Sequence, residues 1–330
     1  MLKILYAGSP APAATTLKLL LDKNVSQDQK ARDWQITGVL TNPPSAKGRR
    51  KELTPTAVGA LAQERGLQVF CPQKLDAEAR EQIAAAGFDA LVCFAYGKIF
   101  GPKFLSLFKA GGVNVHPSLL PKYRGATPVP AAILNCDEQT GVTVQTLALG
   151  MDEGEILAQQ VIALDGTETT DSLLETSAQI AAELLDGLLT KAASEDGALA
   201  LQKGRPQEGE PSYTKTIAKE DALIDWSAPA NKIAAAIRAY TSEPGAWTRI
   251  GGETGETLKI LKAVALDDEA LLGQPNNPGT VAAFDKKRGI LIKCGQGILC
   301  VTELQRQQKN AMGYKDFMNG ARDFVGTQLK

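Results

Sequence analysis

Histidine is almost missing from this chain: His116 is the only one in 330 residues. The five cysteines, Cys71, Cys93, Cys136, Cys294 and Cys300, form no CxxC pair and sit mostly in apolar runs. Structural zinc sites draw four ligands from closely spaced Cys and His, so no metal is expected, and scattered cysteines of this kind fit a reducing setting. Long apolar runs are lacking as well. The N-terminal run is broken by Gly8, Pro10 and Pro12, and no segment reaches the roughly 18 apolar residues that a membrane helix needs. The chain is therefore read as cytoplasmic, with neither signal peptide nor membrane span.

Two motifs are also absent. The first strand-like run ends in Gly8, Ser9 and Pro10 without the GxGxxG glycines, and Pro10 removes a backbone donor, so no NAD or ATP site is expected. No GxSxG surrounds Ser118, and no second histidine could act as its base, which argues against a serine nucleophile. Net charge is nearly absent at −1, yet it is unevenly spread. Residues 1–190 carry 17 Lys and Arg against 20 Asp and Glu, whereas residues 212–330 carry 16 against 13, a modest lean of the second part toward anionic partners.

What is present reads as an ordinary globular chain, 44% hydrophobic and 22% charged. Apolar runs at 2–7, 35–41, 67–70, 90–95 and 112–116 alternate with helical patterns after Pro10, at 56–65 and at 76–86. Strands alternating with helices at these lengths predict a Rossmann-like, doubly wound α/β sheet. Further strands are expected at 141–149 and 156–164, the second antiparallel by its short connection, and then a helix over 170–189. Residues 191–211 are poor in large apolar side chains and rich in Gly and Pro, which predicts a linker between domains 1–190 and 212–330. Beyond it, a helix around 233–240 with Ser227 as its cap precedes five short strands without intervening helices, the pattern of a small OB-like β-barrel.

The run from Gly112 to Gly125 carries the chemistry. On a strand, Asn114 and His116 share one face while Val113 and Val115 point the other way, and Pro117 ends the strand behind them. An amide NH₂ and an imidazole aimed at one point make a pair of donors for a developing oxyanion. Asp152, between Gly150 and Gly154, could orient the ring, although Glu153 and Glu155 compete for that part and a turn-closing role is open to all three. Lys47, Arg49, Arg50 and Lys51 crowd a loop that also holds Pro43, Pro44 and Gly48. It reads equally as a solvated surface loop or as a flexible clamp for phosphate.

These residues resemble the formyltransferase family that uses 10-formyltetrahydrofolate. The resemblance rests on the run from Asn114 to Pro121, on Arg124 and Gly125, on Thr140 to Thr143, and on Met151 to Gly154. It extends through Ala7 to Pro10 and Ala95 to Gly97, and into the second domain at Asp225, Trp226 and Ile237 to Ala239, so it covers most of the chain. It implies a formyltransferase-type catalytic domain, a catalytic trio of Asn114, His116 and Asp152, and a folate site lined by Ser118, Leu119, Leu120, Pro121, Tyr96 and Gly97. Within the family the whole-chain match implies formyl transfer from 10-formyltetrahydrofolate to the free amino group of methionyl-tRNA (initiator), for translation initiation. It also turns Lys47, Arg49, Arg50 and Lys51 into a tRNA-binding loop and the C-terminal barrel into a tRNA-binding domain. The protein is expected to act as a monomer. Two alternatives stay open: a formyltransferase for a small amine, such as an amino sugar nucleotide or glycinamide ribonucleotide, and a non-catalytic RNA-binding protein.

Overall fold

The computed structural model describes residues 1–25, 33–47, 52–194, 200–241, 243–252, 255–267 and 277–330. In chain order the elements are β1 (Leu2–Gly8), α1 (Ala11–Val25), β2 (Trp34–Leu40), β3 (Ser45–Lys47), β4 (Glu52–Thr54), α2 (Ala57–Glu64), β5 (Gln68–Phe70), α3 (Ala77–Ala86), β6 (Ala90–Phe94), α4 (Pro102–Leu105), β7 (Gly111–His116) and β8 (Arg124–Gly125). There follow α5 (Pro128–Asn135), β9 (Gln139–Thr146), β10 (Ile156–Ala163), α6 (Thr170–Ala192), β11 (Tyr213–Thr214), α7 (Ala230–Ala239), β12 (Trp247–Ile250), β13 (Glu256–Leu266), β14 (Val281–Asp285), β15 (Gly289–Lys293), β16 (Ile298–Arg306), β17 (Met312–Gly313) and α8 (Tyr314–Gly320). Two compact units result. The first comprises Met1–Pro128, Gln139–Ala163 and Leu174–Thr214, and the second Val129–Glu138, Leu164–Leu173 and Lys215–Lys330.

In the first unit seven strands lie in the order β10-β9-β7-β6-β1-β2-β5. The strands from β7 to β5 are parallel, while β9 and β10 run antiparallel at one edge. The period-two rule explains the core on both faces: Ile4 and Tyr6 of β1 join one cluster with Val92, Val113 and Val115, whereas Leu5 and Ala7 join another with Leu91 and Cys93. Strand order reverses between β1 and β6, which creates the crevice where ligands bind in such sheets. Asn42 ties the strand ends around it, donating to Ser9 Oγ at 3.0 Å and to the Tyr96 carbonyl at 2.8 Å.

The second unit holds an antiparallel sheet in the order β12-β13-β16-β15-β14, with β17 on β16. Its core includes Trp226, Ile233, Ile237, Leu258, Leu299 and Val301. The sheet curls because residues 327–330 pair with both outer strands. Arg249 and Lys330 exchange backbone bonds at 2.7 and 3.1 Å, and Val281 donates to the Thr327 carbonyl at 2.9 Å. Closure of this kind protects edges that would otherwise be free to pair.

Three features differ from the sequence-based expectations. Residues 201–214, read mostly as linker, run along the first unit: Leu201 is buried in its core, Arg205 bridges Ile156, and β11 pairs with β8. Apart from Leu201, backbone groups make these contacts, so apolar patterning could not reveal them. Ser227 does not cap α7. It donates to Asp225 Oδ1, and Pro229 takes the cap position with no side-chain bond. Finally, the strands run without an intervening helix as expected, but a helix that was not expected, α8, follows the last of them, with Phe317 and Met318 buried.

Candidate active site

The register of β7 against β9 sets the site. Asn114 lies opposite Gln145, and His116 opposite Thr143. Cross-strand partners project from the same face, so the two amides of Asn114 and Gln145 stand side by side. The β9–β10 connection folds back over this face and presents Asp152 to them. Asp152 adopts φ +55°, a left-handed conformation that costs a non-glycine residue about 1–2 kcal/mol. Gly154 allows the fold-back, since a Cβ there would collide with the Thr146 carbonyl oxygen.

Asp152 is the hub. Its Oδ1 accepts from Gln145 Nε2 at 2.9 Å and from Asn114 Nδ2 at 3.3 Å, and it lies 3.5 Å from His116 Nδ1. Its Oδ2 accepts the Gly125 N–H at 2.8 Å. The other ring nitrogen of His116, Nε2, lies 2.8 Å from the Tyr123 carbonyl, and a carbonyl can only accept, so Nε2 carries the hydrogen. A neutral ring therefore turns the lone pair of Nδ1 toward Asp152. His116 is 4% exposed, and burial pushes its pKa below the ordinary 6.5, an effect only partly offset by the Asp152 charge and the Tyr123 carbonyl.

Arg124 and the strap at 201–214 brace this hub. Gln207 Nε2 donates to the carbonyls of Asp152 and Gly154, both at 2.8 Å, and Arg124 grips Gln207 Oε1 through Nε and Nη2 at 3.1 and 2.8 Å. Arg124 Nη1 also reaches the Tyr213 hydroxyl at 3.0 Å. Glu153, a rival of Asp152 on spacing alone, points out to Arg124 at 3.3 Å, and Glu155 accepts the Gly204 N–H instead.

The expected folate residues divide into two groups. Ser118 is fully buried, donates to the Lys122 carbonyl and receives the Thr143 hydroxyl at its own carbonyl, so it stitches the turn after β7. Leu120 is buried with its N–H on Thr143 Oγ1. Tyr96 turns its ring inward to stack on Phe100, and burial pushes its phenol up to about 12. Leu119, Pro121 and Gly97 retain exposed surface, and Gly97 is at φ +83°. Exposed apolar side chains also extend from the connection after β6, at Ile99, and from the β9–β10 connection, at Leu149 and Met151. Of the basic loop, Arg49, Arg50 and Lys51 lie outside the described residues, and Lys47 ends β3.

Sequence reasoning missed Gln145, Gly125 as a donor, and Gln207. The signal for Gln145 was there: a glutamine within a run where Val142 to Gln145 are all buried must find a polar partner. A separate cleft of about 230 Å³, lined by Ile83, Phe88, Asp89 and Phe108 among others, lies at the opposite end of β6 and β7 and contains none of these groups.

A carboxylate, an imidazole and two amides in this arrangement can bind a developing oxyanion and move a proton. Comparison with known proteins narrows the chemistry. The chain is 43% identical over 98% of both chains to the methionyl-tRNA formyltransferase of Treponema denticola. Among solved structures it resembles a methionyl-tRNA formyltransferase from Clostridium thermocellum, with a TM-score of 0.56, 17% identity and coverage of 82% of this chain and 96% of that one. It also resembles HypX from Aquifex aeolicus in complex with tetrahydrofolic acid, with a TM-score of 0.57, 14% identity and coverage of 98% and 48%. Residues 10–186 match the formyl transferase model and residues 216–322 the formyl transferase C-terminal domain model, and the chain belongs to the formyl transferase family.

Proposed function

We propose that this protein transfers the formyl group of 10-formyltetrahydrofolate to the free α-amine of methionyl-tRNA (initiator), the modification that readies that tRNA for translation initiation. The observation that carries the reading is the convergence of Asn114, His116 and Gln145 on one oxygen of Asp152, in a chain matched end to end by a methionyl-tRNA formyltransferase.

The amine nitrogen attacks the formyl carbon, and the carbonyl electron pair moves onto oxygen in a tetrahedral intermediate. Asn114 keeps a second amide hydrogen for that oxygen, since only one is engaged by Asp152. The neutral His116, lowered by burial, takes the proton released by the attacking nitrogen at Nδ1. The imidazolium so formed is stabilised by the adjacent carboxylate and completes the pair of donors. Return of that proton to N10 as the carbon–nitrogen bond breaks releases tetrahydrofolate. No covalent enzyme intermediate is required.

Leu119, Pro121 and Gly97 are assigned to the lining of the folate side and the buried Ser118, Leu120 and Tyr96 to shaping it from beneath, with the exposed Ile99, Leu149 and Met151 supplying apolar surface for a flat ring system. Lys47, Arg49, Arg50 and Lys51 are assigned to the tRNA acceptor end, and residues 212–330 to the tRNA body. Among the described residues no helix is long and apolar enough to cross a membrane. We assign the enzyme to the cytoplasm as a monomer, which sedimentation with and without tRNA would check.

One assay tests the function. Purified protein is given 10-formyltetrahydrofolate with charged initiator tRNA, charged elongator tRNA, glycinamide ribonucleotide or an amino sugar nucleotide. Formylation of the charged initiator tRNA is expected, and exclusive formylation of a small amine would overturn the assignment of the acceptor.

A further inference from the structure

The polar contacts of Asp152 fall into two lengths. Those from Gln145 and the Gly125 amide are 2.9 and 2.8 Å, one to each carboxylate oxygen. Those toward the proposed reacting groups are longer, 3.3 Å from Asn114 and 3.5 Å from His116. Charge-assisted bonds settle near 2.7–2.9 Å when nothing restrains them. The carboxylate is thus seated on Gln145 and Gly125 and stands off from Asn114 and His116.

The orientation of Gln145 is forced. Arg124 can only donate, so its two bonds fix Gln207 Oε1 toward the guanidinium and Gln207 Nε2 away from it. That Nε2 gives its two hydrogens to the Asp152 and Gly154 carbonyls, both at 2.8 Å, which sets the Gly154 N–H on Gln145 Oε1 at 3.1 Å. Gln145 Nε2 is left to meet Asp152. The residue is 2% exposed, so water does not compete for either end of the amide.

We propose that Gln145 is a positioning residue for formyl transfer: its amide, oriented by Arg124 through Gln207, holds Asp152 Oδ1 where Asn114 and His116 meet without letting the carboxylate close onto either. Asn114 thereby stays available to the formyl oxygen and His116 Nδ1 to the amine proton. This rests on the reaction proposed above, and the wild-type protein tests that reaction separately.

The test compares wild type, Gln145→Met, Gln145→Glu and Gln207→Met in single-turnover formylation across pH, with KM for both substrates. Gln145→Met keeps the size of the side chain and loses both hydrogen-bonding ends. It should lower kcat about tenfold to a hundredfold, as misplacement of a reacting group by about 1 Å does, with both KM values within about twofold. Gln145→Glu sets a second carboxylate against Asp152, and two such groups share one proton. Its kcat should climb as pH falls, a trend that Gln145→Met cannot follow. Gln207→Met should lower kcat in the same direction by a smaller factor. A Gln145→Met enzyme with kcat within twofold of wild type overturns the proposal, as do equal losses in the Met and Glu variants with parallel pH profiles. If Gln145→Met melts below the assay temperature, Gln207→Met decides: a lower kcat at constant KM supports the proposal, and an unchanged kcat overturns it. An inactive wild type would instead sink the reaction itself.

Discussion

Asn114 on β7 and Gln145 on β9 face each other in antiparallel register, and both donate a side-chain amide hydrogen to the same oxygen, Oδ1 of Asp152. The pairing divides labour between two amides that are chemically alike. Gln145 has its carbonyl end held by the N–H of Gly154, whose own carbonyl is bound by Gln207, and is fixed. Asn114, on the longer bond, is the one with a hydrogen to spare. Sheet register brings both amides to one oxygen, and the β9–β10 connection decides which of them serves the substrate.

Asn114→Ala and His116→Ala each remove one donor from the oxyanion. Each should cost about 2.7–4 kcal/mol of transition-state stabilisation, a hundredfold or more in the single-turnover rate. Binding of 10-formyltetrahydrofolate, measured by fluorescence quenching, should change far less. Near-normal single-turnover rates in either variant would remove these residues from the catalytic assignment.

Gly125 carries a constraint of another kind. It holds φ +106°, its N–H anchors Asp152 Oδ2, and a Cβ would press into the Thr214 carbonyl across the β8–β11 pair. Gly125→Ala should therefore shift the amide away from the carboxylate and push the strap outward. A fall in kcat of about a hundredfold is expected from that displacement, with circular dichroism close to wild type. Full activity in Gly125→Ala would mean that Asp152 does not need this anchor.

The sequence exposes the parts of this design that obey local rules. Apolar runs locate β1, β2, β6 and β7, and the period of two puts Asn114 and His116 together on the face opposite Val113 and Val115. Spacing prefers Asp152 to Glu153 and Glu155 only modestly, because three carboxylates in one turn differ mainly in where the backbone aims them. Gln207 was hidden for a different reason. It lies in a stretch whose Gly and Pro content reads as linker, and its contacts with Asp152 and Gly154 span more than fifty residues of chain. The assembly of 129–138 and 164–173 into the second unit is equally a property of long-range contacts, with no local pattern to announce it.

Arg49 bears on the acceptor, not on the chemistry. If it contacts the tRNA near its acceptor end, Arg49→Ala should lower kcat/KM for charged tRNA by about tenfold, the worth of roughly one charge-assisted phosphate contact, while leaving formylfolate binding unchanged. The loss should shrink as salt is raised, since screening weakens the contact in the wild type first. An unchanged kcat/KM at low salt would remove the basic loop from tRNA recognition.

Because His116 is the only histidine, its ionisation can be followed without interference. Burial sets its folded pKa below the 6.5 of an unfolded chain. Between the two values the unfolded state binds more protons than the folded one, so stability rises with pH in that window and is lost as pH falls through the folded value. Above 6.5 both states are neutral at this position and it contributes no slope. Thermal melts from pH 7.5 down to 5 should therefore fall more steeply for wild type than for His116→Gln, whose other titrating groups are the same. The single imidazole Cε1–H resonance should titrate with a midpoint below 6.5. A midpoint above 6.5 would mean that the Asp152 charge outweighs burial, that the resting ring is already an imidazolium, and that the proton leaving the amine must go first to Asp152.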